Sequence, residues 1–154
     1  MDTQHLDMAR VLVSTTIDAP RARVWAAVRD IASHVEWMDD AVAIRFTSRA
    51  RQGVGATFDC DTRVGPFRLT DRMEVTEWRE GRVIGIRHVG VVTGTGRFTL
   101  DRRRHGRTRF TWEERLTFPL WLGAWPGSVA GAAILRRVWR RNLRNLKARV
   151  ENTG

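Results

Sequence analysis

Cysteine is almost absent from this 154-residue chain, which contains Cys60 and no other. A single cysteine excludes an internal disulfide and a zinc site built from four cysteines, and it suits a reducing compartment. No tract of proline, serine or glutamine is long enough to indicate a linker or a disordered segment. With no linker to divide it, the chain is expected to form one domain over residues 1–154.

Targeting and cofactor motifs are lacking as well. Residues 1–10 contain two acidic side chains and no apolar run, unlike a signal peptide, so a cytoplasmic location is the default expectation. No serine–histidine pair or phosphate-binding loop follows a suitable strand. Gly94 and Gly96 fall near a predicted turn at 93–96 and lack the third glycine of a dinucleotide fingerprint. The sequence therefore predicts no cofactor and, without recognisable ligand spacing, no metal.

Lysine is represented by Lys147 alone, although the net charge is +10, so arginine carries nearly all of the positive charge. A basic chain is attracted to nucleic acid and to anionic lipid. An arginine-rich composition also arises from genome base composition, and we expect no specific nucleic-acid partner. Peripheral contact with an anionic membrane is kept as a weaker alternative.

One stretch without charge, residues 116–135, is about long enough to span a bilayer. Pro119 and Pro126 interrupt it, three glycines dilute it, and its beginning continues a strand-like alternation. The sequence therefore predicts no transmembrane span.

The patterns predict mostly strands. A β-branched run over 11–17 indicates a first strand, and a helix follows with Asp18 as expected N-cap and Pro20 as first helical residue. A short second helix is expected around 31–37. Period-two alternation with short turns favours an antiparallel meander of six more strands, at about 41–48, 55–63, 67–78, 82–90, 95–102 and 107–118.

The end of the chain has helical periodicity. From Leu135 to Val150 apolar residues recur at spacings of four, four, three and four, which predicts one apolar face on a helix over about 128–151. Arginines occupy the opposite face, which is expected to be solvated. A sheet that needs a cover and a helix that supplies it indicate an α+β fold.

Several phrases resemble one superfamily, the polyketide cyclase/dehydrase-like, START-like (SRPBCC) proteins. They are Ile17-Asp18-Ala19-Pro20, Val24-Trp25, Asp30, Trp37, Gly53-x-Gly55 and Gly65, followed by the amphipathic C-terminal helix. The resemblance implies a helix-grip fold, in which a curved antiparallel sheet of about seven strands wraps around the long C-terminal helix. Two short helices follow strand 1, and a cavity lies between sheet and helix. Members include aromatase/cyclases and lipid carriers, so the resemblance does not separate enzyme from carrier.

Strand alternation places three ionisable residues, Asp71, His88 and Glu114, on otherwise apolar faces. Burial tunes such groups toward acid–base work, so they are candidate catalytic residues. The alternative is that each lies at a cavity mouth or bulge and pairs with a nearby arginine. For the strand at 55–63 both faces stay possible, with either Phe58 and Cys60 or Asp59 and Asp61 turned inward.

The candidate ligand-binding set consists of apolar strand residues, one tryptophan before the last helix and one tryptophan on it. They are Phe58, Met73, Ile86, Phe98, Trp112, Leu116, Trp121 and Trp139. We expect the protein to bind or carry a small apolar molecule there, of a lipid-like, aromatic or polyketide-like kind. The alternative is a cofactor-independent polyketide cyclase, aromatase or dehydratase that uses the cavity acids. Ligand identity and oligomeric state stay open.

Overall fold

The computed structural model describes residues 7–119 and 129–153, and in these ranges the chain forms seven strands and two α-helices. The first half contains β1 (Asp7–Ile17), α1 (Arg21–Val28), a short 3-10 helix (Ile31–Glu36), β2 (Ala41–Phe46), β3 (Thr57–Val64) and β4 (Phe67–Arg79). The second half contains β5 (Val83–Val89), β6 (Thr93–Arg103), β7 (Arg107–Phe118) and α2 (Val129–Asn152).

All seven strands belong to one antiparallel sheet in the order β1-β7-β6-β5-β4-β3-β2. Strands β2 to β7 form the predicted meander, and β1 joins at the edge of β7. β1 begins earlier than expected because it pairs with β7 from Asp7↔Phe118 to Ile17↔Thr108. Register shifts between Ala41 and Ala43 and between Val75 and Glu77 add local bends, and the sheet is curved, as the predicted fold requires.

Helix α2 covers the inner face of this sheet. Its buried side chains include Trp139, Leu143, Leu146 and Val150, and with the partly buried Leu135 they form the predicted apolar stripe. Full burial of each leucine contributes about 1.5–3 kcal/mol. The opposite face is basic, with exposed arginines at 137, 140, 141 and 144. Contact of this face with anionic lipid stays a prediction. In the described residues no helix is long and apolar enough to cross a membrane.

A buried carboxylate before β2 fastens α2 to the rest of the core. Asp40 accepts hydrogen bonds from Trp139 Nε1 at 3.1 Å and from Asn142 Nδ2 at 2.7 Å. The Asn142 side-chain oxygen accepts in turn from the backbone N–H of Asp39 at 2.9 Å. Burial raises the pKa of Asp40, although the two donors partly oppose this. Trp139 is therefore held in a defined position above the sheet.

Two local predictions are wrong. Helix α1 begins at Arg21 and Pro20 takes the N-cap position without a side-chain hydrogen bond, so Asp18 is not the cap. The backbone N–H of Asp18 instead donates to Glu151 Oε2 at 2.7 Å, which ties the end of β1 to the end of α2. The turn expected at 93–96 is also misplaced, because β6 already begins at Thr93.

Candidate functional site

A cavity of about 160 Å³ lies between the inner face of the sheet and α2. Its wall is mainly aliphatic and aromatic. Seven of the eight predicted ligand-binding residues line it, namely Phe58, Met73, Ile86, Phe98, Trp112, Leu116 and Trp139. The eighth, Trp121, lies outside the described residues. Because a cavity of about 150 Å³ holds a benzene molecule, this space suits a ligand built on one aromatic ring.

Strand β3 turns Phe58 and Cys60 toward the cavity, which decides between the two possible faces. Asp59 and Asp61 lie on the outer face, where they pair with arginines on the neighbouring strands. Burial raises the pKa of the Cys60 thiol to about 12. The thiol is therefore neutral at physiological pH and behaves as part of the wall.

The three candidate catalytic residues meet in one hydrogen-bonded line. His88 Nδ1 lies 2.8 Å from Asp71 Oδ2, and His88 Nε2 lies 2.9 Å from Glu114 Oε2. Their side chains are 11% (Asp71), 5% (His88) and 8% (Glu114) exposed. The second Glu114 oxygen accepts from Trp112 Nε1 at 3.0 Å. The alternative expectation, that each acid pairs with an arginine, is not what the structure contains.

Strand register explains how residues so far apart in sequence meet. Glu114 on β7 and His88 on β5 are separated by β6, where Gly96 lies opposite both Glu114 and Ile86. A Cβ atom at Gly96 would lie 2.6 Å from the carboxyl carbon of Glu114. Because glycine has no side chain, the Glu114 carboxylate can lie across β6 and reach His88. Asp71, on β4, completes the line on the other side.

The contacts of His88 with Asp71 and with Glu114 each need one proton, so the three side chains share two protons. A histidine donates from both ring nitrogens when it is charged, so both contacts are satisfied by an imidazolium between two carboxylates. Burial by itself would lower the pKa of His88, but the charge of Glu114 and the hydrogen bonds to both carboxylates outweigh it and raise the pKa to about 10. His88 is thus protonated at neutral pH, and the line carries a net charge of about −1.

One oxygen of this line has no partner among the described residues. Asp71 Oδ1 is buried and forms no hydrogen bond within the described part of the chain, whereas both Glu114 oxygens are occupied. A buried charged oxygen without a donor is unfavourable. Asp71 Oδ1 is therefore the unsatisfied hydrogen-bond acceptor of this line.

A second histidine in the cavity wall, His34, is neutral. His34 donates from Nε2 to the Val28 carbonyl at 2.7 Å and packs against Trp37 and Phe98. Burial lowers the pKa of His34 to about 4. It is a neutral wall residue. Its position on a short helix indicated ordinary packing, and no sequence pattern pointed to its place in the cavity.

Two tryptophans connect the charged line to α2. Trp112 on β7 and Trp139 on α2 stack with ring centroids 4.9 Å apart and an interplanar angle of 22°. The indole of Trp112 donates to Glu114 and that of Trp139 donates to Asp40. Both rings line the cavity, so their fluorescence reports on what occupies it.

A curved antiparallel sheet closed by a long C-terminal helix, with a cavity between them, defines the helix-grip class expected from the sequence. The chain belongs to the family described as polyketide cyclase / dehydrase and lipid transport, whose model matches residues 8–151. No curated protein matches the chain significantly.

Solved structures share the fold at low identity. A START superfamily protein from Mycobacterium smegmatis has a TM-score of 0.78 and 12% identity, with 94% of this chain and 99% of that chain covered. A Thermus thermophilus protein, TTHA0849, has a TM-score of 0.72 and 16% identity, with coverage of 94% and 99%. The Zhui aromatase/cyclase from a Streptomyces species has a TM-score of 0.69 and 17% identity, with 94% of each chain covered. These likenesses show the fold alone.

Gly96→Ala is expected to displace the Glu114 carboxylate while leaving the fold intact, because the new methyl group meets the flexible end of a side chain. Glu114 then releases His88 and Trp112, so the pKa of His88 falls and Trp112 emission shifts. Ring ¹⁵N shifts and fluorescence measure both effects. Thr95→Ala is the control, since Thr95 is exposed on the opposite face of the same strand. An unchanged His88 pKa in Gly96→Ala would contradict the described geometry.

The two buried histidines predict opposite pH effects on stability. The folded pKa of His34 is below the ordinary value of 6.5, so the unfolded chain binds the extra proton and stability falls between pH 6.5 and about 4. The folded pKa of His88 is raised, so its contribution is complete below pH 6.5 and is lost as pH rises toward about 10.

Denaturant unfolding across this pH range measures both losses of stability, the acid limb due to His34 and the alkaline limb due to His88. The His34 limb is expected to reach on the order of 3 kcal/mol. His34→Gln keeps a donor for the Val28 carbonyl but does not titrate, so it should flatten the acid limb and leave the alkaline limb in place. An acid limb of unchanged size in this variant would show that other groups cause it.

Proposed function

We propose that this protein binds a small apolar molecule, about the size of one aromatic ring, in the cavity under α2. The molecule's polar end would lie at the line formed by Asp71, His88 and Glu114. The observation that carries the proposal is a cavity with a mainly apolar wall, in which one hydrogen-bonded group of ionisable side chains, Asp71, His88 and Glu114, is buried. Such a pocket binds through area removed from water, at roughly 25 cal/mol per Å², and orients its ligand through a few polar atoms.

Family membership supports this class of ligand, because the family description names both polyketide chemistry and lipid transport. Among ligands of these kinds, the cavity size favours small ones. Pockets for drug-sized ligands occupy roughly 300–1,000 Å³, and the cavity here measures about 160 Å³. A single ring fits the cavity volume as it stands, whereas a lipid or polycyclic ligand would need more space or would extend through the open side of the cavity.

A cavity-filling substitution tests the binding proposal. Ile86 lines the cavity on β5, and Val89 on the same strand is exposed. We expect wild type to bind toluene with a change in tryptophan emission, and Ile86→Phe to lose most of this binding because the new ring occupies the space. Val89→Phe adds the same bulk outside and should bind normally. Equal binding by both variants, or no binding by wild type, would overturn the proposal.

A second candidate function is cofactor-independent acid–base catalysis of cyclisation or dehydration. The observation in its favour is that two carboxylates and an imidazolium lie together beside an apolar cavity. Both His88 nitrogens are occupied, so the atom left to accept a substrate proton is Asp71 Oδ1. Removal of a proton next to a carbonyl by this oxygen would begin an aldol cyclisation, and the same group could return a proton to a departing hydroxyl.

Hydrogen–deuterium exchange separates a catalyst from a carrier. If Asp71 acts as a base, the protein in D₂O accelerates exchange of the α-protons of 1-phenylpropan-2-one, and Asp71→Asn loses on the order of 10²-fold of this acceleration. Asp59→Asn, on the outer face, is the control. Toluene binding with no acceleration by wild type would support a carrier and exclude this catalytic role.

A further inference from the structure

The donors in the cavity wall are already used. Trp112 and Trp139 donate to Glu114 and Asp40, and His34 donates to the Val28 carbonyl. The Thr62 hydroxyl points to Cys60 Sγ at 3.8 Å, and the Cys60 thiol points to the Asp61 carbonyl at 3.9 Å. Apart from Arg97, whose guanidinium pairs with Glu77 on the outer face, no side-chain donor of the described wall remains for a ligand.

An acceptor remains instead. Asp71 lines the cavity, and its Oδ1 is buried without a partner in the described structure. With His88 donating one ring proton to each neighbour, this oxygen belongs to a carboxylate and acts as an acceptor. The line is therefore completed by a ligand that donates a hydrogen bond at this end.

The surroundings do not neutralise the excess charge. Besides His88, the cationic side chain among the described lining residues is Arg97, and its guanidinium pairs with Glu77 at 3.0 Å on the outer face. His34 is neutral. An anionic ligand would therefore bring a second negative charge into a poorly solvated space beside the first.

We propose that the cavity selects small aromatic molecules that carry a hydrogen-bond donor, either a hydroxyl or an ammonium group, and rejects carboxylates of the same size. The donor is placed against Asp71 Oδ1 and the ring lies against Trp112 and Trp139. This inference rests on the proposed binding function and adds the chemical class of the ligand.

A series of four probes of similar size tests it: toluene, benzyl alcohol, benzylamine and benzoate. In wild type we expect benzyl alcohol and benzylamine to bind at least as tightly as toluene, although their polar groups are costlier to desolvate. Benzoate should bind on the order of tenfold more weakly than toluene or not at all. Tryptophan fluorescence titration and calorimetry measure the four affinities at neutral pH.

Asp71→Asn supplies the decisive comparison. An amide oxygen can still accept from His88 Nδ1, which turns the amide NH₂ toward the position of Oδ1 and removes one negative charge. The two donor probes should then lose on the order of tenfold in affinity, benzoate should gain, and toluene should be unchanged. Asp59→Asn, which removes an outer-face carboxylate, should leave all four affinities as in wild type.

The outcomes separate the two proposals. If toluene does not bind to wild type, the binding function itself is wrong. If toluene binds but benzoate binds as tightly as benzylamine, the cavity binds apolar molecules and the donor preference is wrong. Should Asp71→Asn not fold, the order of the four affinities in wild type decides the question without it.

Discussion

Covering the inner face of the sheet with one helix is the constraint on which the rest of this structure depends. The stripe from Trp139 to Val150 seals the apolar side of β1 and its neighbours. Asp40 fixes where that stripe lies by accepting from Trp139 and Asn142. Since the sheet is curved, the helix does not fill all of the enclosed space, and the remaining volume is the cavity.

Low solvation inside that space determines the arrangement of its charges. Carboxylates beside an apolar cavity are stable when each meets a donor, and the line from Asp71 to Glu114 supplies donors through His88 and Trp112. A buried ionic cluster of this kind rarely adds stability compared with apolar packing. Its presence, with one carboxylate oxygen left unsatisfied among the described residues, is the observation on which the proposed ligand contact rests.

Sequence patterns predicted the fold and the faces of most strands because strand alternation is a local property. Glu114 alternates with Phe110, Trp112 and Leu116, so its inward direction follows from neighbours in the chain. Its contact with His88 depends instead on the register of three strands and on the missing side chain at Gly96. A glycine within a strand often marks a close approach, but the turn predicted at 93–96 hides that signal. Asp40 and His34 lie outside periodic segments, where faces cannot be assigned.

The two proposed functions, carrier and catalyst, differ in the role that they assign to one atom, Asp71 Oδ1. Both His88 nitrogens are engaged, so His88 cannot exchange a proton with a ligand without breaking the line, and each Glu114 oxygen already accepts one hydrogen bond. Glutamine at position 114 would turn its amide NH₂ toward one of two donors, so it tests the integrity of the line more than its chemistry. Asp71 is the position where chemistry can be separated from structure, because one of its oxygens accepts from His88 and the other forms no hydrogen bond within the described residues.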